Sequence, residues 1–431
     1  IMEHFRRICI FLRAKCIHSG IHILSHLILL LRWTIYSILI GLLVGGTGIL
    51  FAFCLNQVTA FRTQHSWMLF GLPLCGLLIV WLYHISKNDN DKGTNLVIAT
   101  LQSQSEVPGK MAPLIFVSTI LTHACGGSAG REGAALQLGG SMGSVLGKWF
   151  RIPEQDRHIV IMCSMSAAFS AVFGTPLAAA IFSMEVVSVG VMQYSALVPC
   201  TLASLTASHL AATVHLEQEA FPTLQIPSFQ IGTALLVLLL AVLCAGISIL
   251  FCMILHRTGA LLRSRLHNAY LRVVASGTSI VLLTLLLGSR DYLGTGMSVI
   301  SRALTGEVVW YAFLMKMLFT AVTLGGGYKG GEIVPSFFVG ATFGCLFGQV
   351  IGFSPALCAA LGMAAVFCGV TNCPLTSLLI SFELFGMGGA PYFLLVIAVS
   401  YLLSGYYGLY QTQKFAYSKY KDRWINRSAK K

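Results

Sequence analysis

Long uninterrupted apolar runs dominate the chain, and they are separated by short polar or glycine-rich breaks. "WTIYSILIGLLVGGTGILFAFCL" from Trp33 and "IGTALLVLLLAVLCAGISILFCMIL" from Ile231 each exceed the roughly 20 residues that a helix needs to cross a bilayer. A spanning barrel would instead alternate apolar and polar residues with period two, and no such alternation is visible. The pattern predicts a polytopic helical membrane protein. Some runs are shorter: "AALQLGGSMGSVLG" after Glu132 and "VPSFFVGATFGCLFG" after Ile333 offer about 14 or 15 residues, roughly 22 Å of helix. They are expected to be broken or re-entrant helices, which a membrane tolerates only where protein or a water-filled cavity surrounds them.

Composition agrees with this reading. The 431 residues are 56% hydrophobic and 10% charged, against about 25% charged in a typical soluble domain. The net charge of +13 is concentrated at the ends: Arg6, Arg7, Arg13, Lys15 and Arg32 precede the first span. Lys414, Lys419, Lys421, Arg423, Arg427, Lys430 and Lys431 follow the last. That placement favours an anionic lipid surface over nucleic acid and predicts that both termini are cytoplasmic. Residues 1–32 read as an amphipathic lead-in helix, because the segment lacks a small-x-small cleavage site. The 13 cysteines are scattered singly through apolar sequence, and the histidines form no cluster, so no metal site and no cofactor are expected.

Laid on itself at an offset of 200 residues, the chain repeats. "GSAGREG" at 127–133 aligns with "GYKGGEI" at 327–333, so that Gly127, Gly130 and Glu132 fall on Gly327, Gly330 and Glu332. After a two-residue slip, "TPLAAAIFSME" ending at Glu185 matches "CPLTSLLISFE" ending at Glu383. Glu185 is the only Asp, Glu, Lys or Arg between Ile159 and Leu216, and Glu383 the only one between Ile333 and Gln413. Charge at such a depth costs on the order of 2.5–3.5 kcal/mol, and a hydrogen-bonded structural glutamate near a helix end accounts for either. Repeated halves with glycine- and proline-broken helices point to a transporter or channel whose site lies near the midplane.

The chemistry concentrates in "GGSAGREGAALQLGG" at 126–140. Its glycines, Gly130 and Gly133 among them, bring backbone N–H groups close to a ligand. A helix start adds about half a positive charge and N–H groups without internal partners, which together make an anion site. A third loop, "KGTN" at 92–95, offers the Thr94 hydroxyl and the Asn95 amide, with capping and ligand contact both open for Thr94. Glu132 stands where a mobile anion would bind. Two like charges 4 Å apart repel by about 4 kcal/mol at an effective dielectric of 20, so carboxylate and anion exclude each other unless the carboxylate is protonated or swings away. Arg131 is expected to anchor the loop. "GGSAG" also fits the nucleophile elbow of hydrolases, with Ser128 as nucleophile and His123 nearby, but Tyr328 occupies the equivalent place in the second half.

These motifs resemble the CLC family of chloride channels and proton-coupled anion exchangers, including its fluoride-transporting branch. "GREGAALQLGG" is similar to the segment carrying that family's gating glutamate, "KGGEIVP" to its second-half pore loop, "KGTN" to its first-half serine loop, and "SGYYGLYQTQ" to the stretch with its pore tyrosine. The resemblance covers about residues 33–412 and implies an all-α fold of tilted, broken and re-entrant helices in an inverted repeat, assembled as a homodimer. By position it implies Glu132 as gate and proton acceptor, Thr94 and Tyr410 as pore hydroxyls, and Ile333 and Val334 as backbone N–H donors. Ala134 departs from the family's proline, Thr94-Asn95 from Ser-Gly, and Ile333 from phenylalanine. Val186 stands where exchangers carry an inner proton-relaying glutamate.

The expected organisation is a lead-in at 1–32, membrane repeats at 33–216 and 217–412, and a basic cytoplasmic tail at 413–431 without a regulatory domain. The expected function is transport of chloride or fluoride across a bacterial inner membrane, exchanged for protons. A passive anion channel is the alternative, and an intramembrane serine hydrolase the remote one.

Overall fold

The computed structural model describes residues 2–88, 92–103, 106–216 and 221–430, with side chains from residue 24 onward. Sixteen α-helices form among them. The first half runs α1 (Met2–Gln64), α2 (Leu72–Ile85), α3 (Thr94–Ser103), α4 (Met111–Ala124), α5 (Glu132–Trp149), α6 (Arg157–Phe173), α7 (Pro176–Glu185) and α8 (Leu197–Thr213). The second runs α9 (Ile231–Arg265), α10 (Ala269–Leu287), α11 (Met297–Leu304), α12 (Ala312–Gly326), α13 (Ile333–Ile351), α14 (Pro355–Thr371), α15 (Pro374–Phe385) and α16 (Ala390–Leu403). Six helical stretches, including Leu24–Gln64, Ile231–Arg265 and Ile333–Ile351, are long and apolar enough to cross a membrane.

The internal repeat is visible in the helix starts: 72 and 269, 94 and 297, 111 and 312, 132 and 333, 157 and 355, 176 and 374. The pairing α5 with α6 recurs as α13 with α14, and glycine explains why. Gly139 and Gly143 face α6 so closely that a methyl on Gly139 would lie 2.5 Å from the Ser164 carbonyl oxygen and one on Gly143 2.8 Å from the Ile161 Cα. Gly340 and Gly344 meet the backbone of α14 at Gly362 and Cys358 in the same way. Small residues four apart let two helices touch along their backbones, which supplies packing energy where lipid offers no hydrophobic drive.

Glu185 and Glu383 join the halves. Glu185 closes α7, and its carboxylate accepts from the N–H groups of Leu375 (3.1 Å) and Thr376 (2.9 Å) and from the Thr376 hydroxyl (2.6 Å) at the start of α15. Glu383, near the end of α15, accepts from Leu177 (2.8 Å) and Ala178 (3.0 Å) at the start of α7. Each half therefore caps a helix of the other, with Pro176 and Pro374 at the first turn, where a missing N–H is not missed. A carboxylate at a helix start is stabilised by the unpaired N–H groups and the dipole, so both costly charges have a structural use.

The structure adds three features to the expected organisation. The helix from Met2 runs without a break through Arg32 to Gln64, since no proline or cap interrupts it; the predicted amphipathic faces of the lead-in fall largely on side chains outside the described residues. The seam between the halves at 216 and 217 adjoins residues 217–220, which also lie outside them. Helices α5 and α13 have 18 and 19 residues, about one turn more than expected, because they begin at Glu132 and Ile333 and run on past Gly147 and Gly348. Finally, residues 413–430 fold into β2 (Lys414–Tyr417) and β3 (Trp424–Ser428), a hairpin added to β1 (Ser188–Val189). Lys419 is tied down by Asn372 Oδ1 (2.6 Å) and the Tyr401 carbonyl (2.7 Å), so the segment packs on the helices.

Replacing Glu185 or Glu383 by alanine removes charge-assisted bonds to the start of α15 or of α7. Each substitution is expected to cost about 1–3 kcal/mol, read as a lower thermal unfolding midpoint in detergent, with glutamine recovering part of the loss.

Candidate functional site

The two glycine loops meet at the centre of the fold. Gly130 N–H donates to the Gly331 carbonyl at 2.7 Å and Gly331 N–H to the Gly130 carbonyl at 2.8 Å, an isolated antiparallel bridge between the halves. No side chain fits there. A methyl on Gly133 would sit 2.8 Å from the Gly331 Cα, and one on Gly331 2.5 Å from the Gly133 nitrogen. The bridge brings the starts of α5 and α13 side by side, and with them N–H groups that have no acceptor inside their own helices. Ile333 and Val334, both buried, form the opening of α13.

Glu132 is fully buried as the first residue of α5. Its carboxylate accepts from the Arg131 N–H at 3.1 Å and lies 3.4 Å from Arg131 Nε. Arg131 is itself held by Asn56 Oδ1 of α1 at 3.2 Å. The adjacent arginine and glutamate thus form a clamp: the guanidinium faces α1, while backbone and Nε hold the carboxylate at the helix start. From Arg131 a cavity of ≈ 630 Å³ opens between α1 and the 290–298 segment, lined by Arg62, Arg131 and Arg290, with Asp291 the one acidic residue among its described lining residues. Asp291 is paired with Arg302 at 2.7 Å, so the cavity wall is net basic. Behind it, the buried Lys316 donates to the carbonyls of Gly294 (2.7 Å) and Tyr292 (3.2 Å).

On the other side of the bridge, Thr94 opens α3, which places its hydroxyl beyond the capping position. That hydroxyl donates to the Gly133 carbonyl at 3.3 Å and accepts from Gln137 Nε2 at 3.1 Å. Three polar atoms converge near here, buried and without a partner: Gln137 Oε1, Glu332 Oε2 and the Tyr410 hydroxyl. Glu332 Oε2 lies 3.5 Å from where a Gly133 Cβ would be, and Tyr410 is within electrostatic reach of both Glu332 and Glu132. Buried polar groups are nearly always hydrogen-bonded. Orphaned polar atoms this near the bridge call for water or a small polar guest as partner.

Asn95 is not brought to this space. Its Oδ1 accepts from the Thr412 N–H and hydroxyl, both at 3.2 Å, so it fastens α3 to the chain after Tyr410, because an amide beside an unpaired backbone N–H bonds it. Val186 is buried, and its carbonyl accepts from Gln413 Nε2 at 3.1 Å. Ser128 is also excluded as a nucleophile. Its Oγ pairs with Thr320 at 3.0 Å, the segment before it is helix α4, and His123 bonds the Thr119 and Ala129 carbonyls instead.

Gln137 and Lys316 were not singled out in the sequence. Gln137 is the one amide in α5 and Lys316 the one charged residue in α12, and that is the available signal.

The family model described as voltage gated chloride channel matches residues 75–405. A chloride/fluoride channel protein of Pseudomonas syringae pv. tomato is 33% identical over 396 residues, covering 90% of this chain and 88% of its own length. The crystal structure of a CLC-type fluoride/proton antiporter superposes with a TM-score of 0.86 at 32% identity, covering 89% of this chain and 98% of that one. A slow cyanobacterial Cl-/H+ antiporter shares the fold, with a TM-score of 0.78 at 19% identity over 86% of this chain and 94% of that one.

A methyl at the bridge has nowhere to go. Gly331→Ala is expected to cost at least the 1–3 kcal/mol of ordinary overpacking, seen as a lowered unfolding midpoint or loss of a monodisperse peak in size-exclusion chromatography. Gly232→Ala, a helical glycine with nothing within 4 Å, is expected to leave both unchanged.

Proposed function

The chain belongs to the voltage-gated chloride channel family, and from that premise we propose that it moves a small halide, fluoride or chloride, across a bacterial membrane in exchange for protons. The observation that carries this reading is the Glu132 carboxylate seated at the start of α5 beside the interloop bridge. Fluoride and chloride both stand because relatives above 30% identity carry both anions in their names. The membrane repeats at 33–216 and 217–412 are proposed as the two halves of the transport unit, working as a homodimer with both termini in the cytoplasm.

In the proposed cycle the anion enters along the basic cavity from Arg131 and meets the Glu132 carboxylate in the place it needs. Like charges at contact distance repel by about 4 kcal/mol at an effective dielectric of 20. A proton taken up by Glu132 removes that repulsion, the side chain leaves the helix start, and the anion replaces it against the N–H groups of Gly133, Ile333 and Val334. Thr94 and Tyr410 supply hydroxyls at the inner boundary. Arg131 positions the gate, and Asn95 acts only by holding the inner wall. Glu332 is proposed as a second proton carrier, since its unpartnered Oε2 faces the same space while Glu185 and Glu383 are occupied in capping.

A passive channel is the second reading, favoured by the absence of a titratable side chain at the buried Val186.

Purified protein in liposomes separates the two, with anion efflux and external pH recorded together. Uphill proton movement driven by a fluoride or chloride gradient is expected; anion flux with no proton movement would leave the channel. Glu132→Gln is expected to retain anion flux and lose proton coupling. Glu332→Gln is expected to slow coupled turnover about tenfold, with an unfolding midpoint close to that of the unsubstituted protein.

A further inference from the structure

Cys75 and Cys125, both free thiols, bring their sulfurs to 3.0 Å. Among the described cysteines no other two sulfurs meet at hydrogen-bond distance. Cys75 lies in the first turn of α2 and is half-buried, while Cys125 is the residue after α4 and is buried. Gly71, just before α2, leaves room for the second sulfur: a methyl there would lie 3.3 Å from it. The two thiols belong to segments of different character. The start of α2 is a fixed post, because the buried Tyr328 hydroxyl bonds the carbonyls of Leu72 (2.9 Å) and Val273 (3.1 Å) and so ties α2 to α10. Cys125 instead opens the loop that runs to Glu132. Gly126, next in the chain, holds a φ of 88°, a conformation that glycine adopts at no steric cost, so a pivot stands between the thiol and the gate. The turn Ser66–Gly71 exposes Trp67 and Phe70, as aromatic belts do at a membrane surface. Cys75 is about one helical turn below that surface, within reach of a small oxidant. With both termini cytoplasmic and α1 crossing once, this is the outer surface, where thiols oxidise.

We propose that Cys75 and Cys125 form a redox-responsive cross-link that fastens the Glu132 loop to α2. The oxidant class is a peroxide. The half-buried Cys75 thiol takes one oxygen from it and becomes a sulfenic acid, while the peroxide leaves as an alcohol or, for hydrogen peroxide, as water. The Cys125 sulfur then attacks the sulfenic sulfur: the S–S bond forms, the S–O bond breaks, and the departing hydroxide takes the Cys125 proton and leaves as water. Two thiols lose two electrons in all, and one peroxide gains them. A small thiol reverses the step by exchange, returning both hydrogens and leaving as its own disulfide. Closing the bond asks the sulfurs to approach by about 1 Å. In the reduced protein the loop is free to follow the Glu132 carboxylate as it leaves the helix start; in the oxidised protein the first residue of the loop is fixed to α2. That the cross-link slows transport rests on Glu132 being the gate, whereas its formation does not.

The test uses the full chain in liposomes, treated with hydrogen peroxide and then with dithiothreitol. Peptide mass spectrometry after blocking of free thiols is expected to find Cys75 and Cys125 in one linked pair of peptides, short of two hydrogens, which separates on reduction. Fluoride and chloride efflux is expected to fall by about tenfold on oxidation, since loop steps of this kind set turnover, and to return on reduction. Cys75→Ser/Cys125→Ser is expected to keep the efflux of the reduced protein under peroxide. Cys125→Ser alone is expected to stop at the sulfenic acid, trapped on Cys75 by dimedone. The cross-link is overturned if both thiols of the unsubstituted protein stay open to alkylation after peroxide, a readout that needs no variant to fold. A bond that forms with efflux unchanged overturns its control of the gate, and so does equal inhibition of the double serine variant. Absence of efflux from the reduced protein would instead count against the transport reading, with the cross-link still decided by mass.

Discussion

Two glycine backbones exchanging hydrogen bonds in the middle of the fold set everything else in place. The Gly130–Gly331 bridge requires the halves to approach with no side chain between them, and it aligns two helix starts within a few residues of each other. A buried peptide group left unpaired is costly, so each loop satisfies the other only when both halves are folded. The glycine stripes at 139 and 143 and at 340 and 344 extend the same principle along α5 and α13, holding those helices where their first turns face inward.

Acidic residues then divide by partner. Glu185 and Glu383 are saturated by helix starts of the opposite half, and their charge is spent on holding the repeats together. Glu132 also stands at a helix start, but at that of its own helix, with a single arginine as its companion. Its bonds are fewer and longer than those of Glu185. A carboxylate held by a few exchangeable contacts is suited to leave and return.

Much of this was legible in the sequence because it is written in spacing. The offset of 200 residues identifies the paired loops, and a lone glutamate nine residues after a proline recurs as the cap of the other half. Asn95 was not legible: proximity to Thr94 in the chain suggested a shared ligand, whereas its amide turns to Thr412, 317 residues away. Glycine at 147 and 348 misled, because it does not end these helices; at Gly348 it instead lets the backbone of Pro355 approach to 2.6 Å of where a methyl would sit. The docking of the tail was not legible, since nothing local announces that Lys419 finds the Asn372 amide oxygen just past α14 and the Tyr401 carbonyl on α16. Gln137 is a single polar letter in an apolar run, and only the third dimension puts it on Thr94.

The central claim is that the Glu132 carboxylate and the transported anion compete for one set of helix-start N–H groups. Equilibrium binding of fluoride and chloride to the purified protein, measured by titration calorimetry across pH, tests it most directly. Competition predicts that anion affinity of the unsubstituted protein rises as pH falls, and that Glu132→Gln binds tightly at every pH with that dependence gone. An identical pH dependence in both proteins would contradict it.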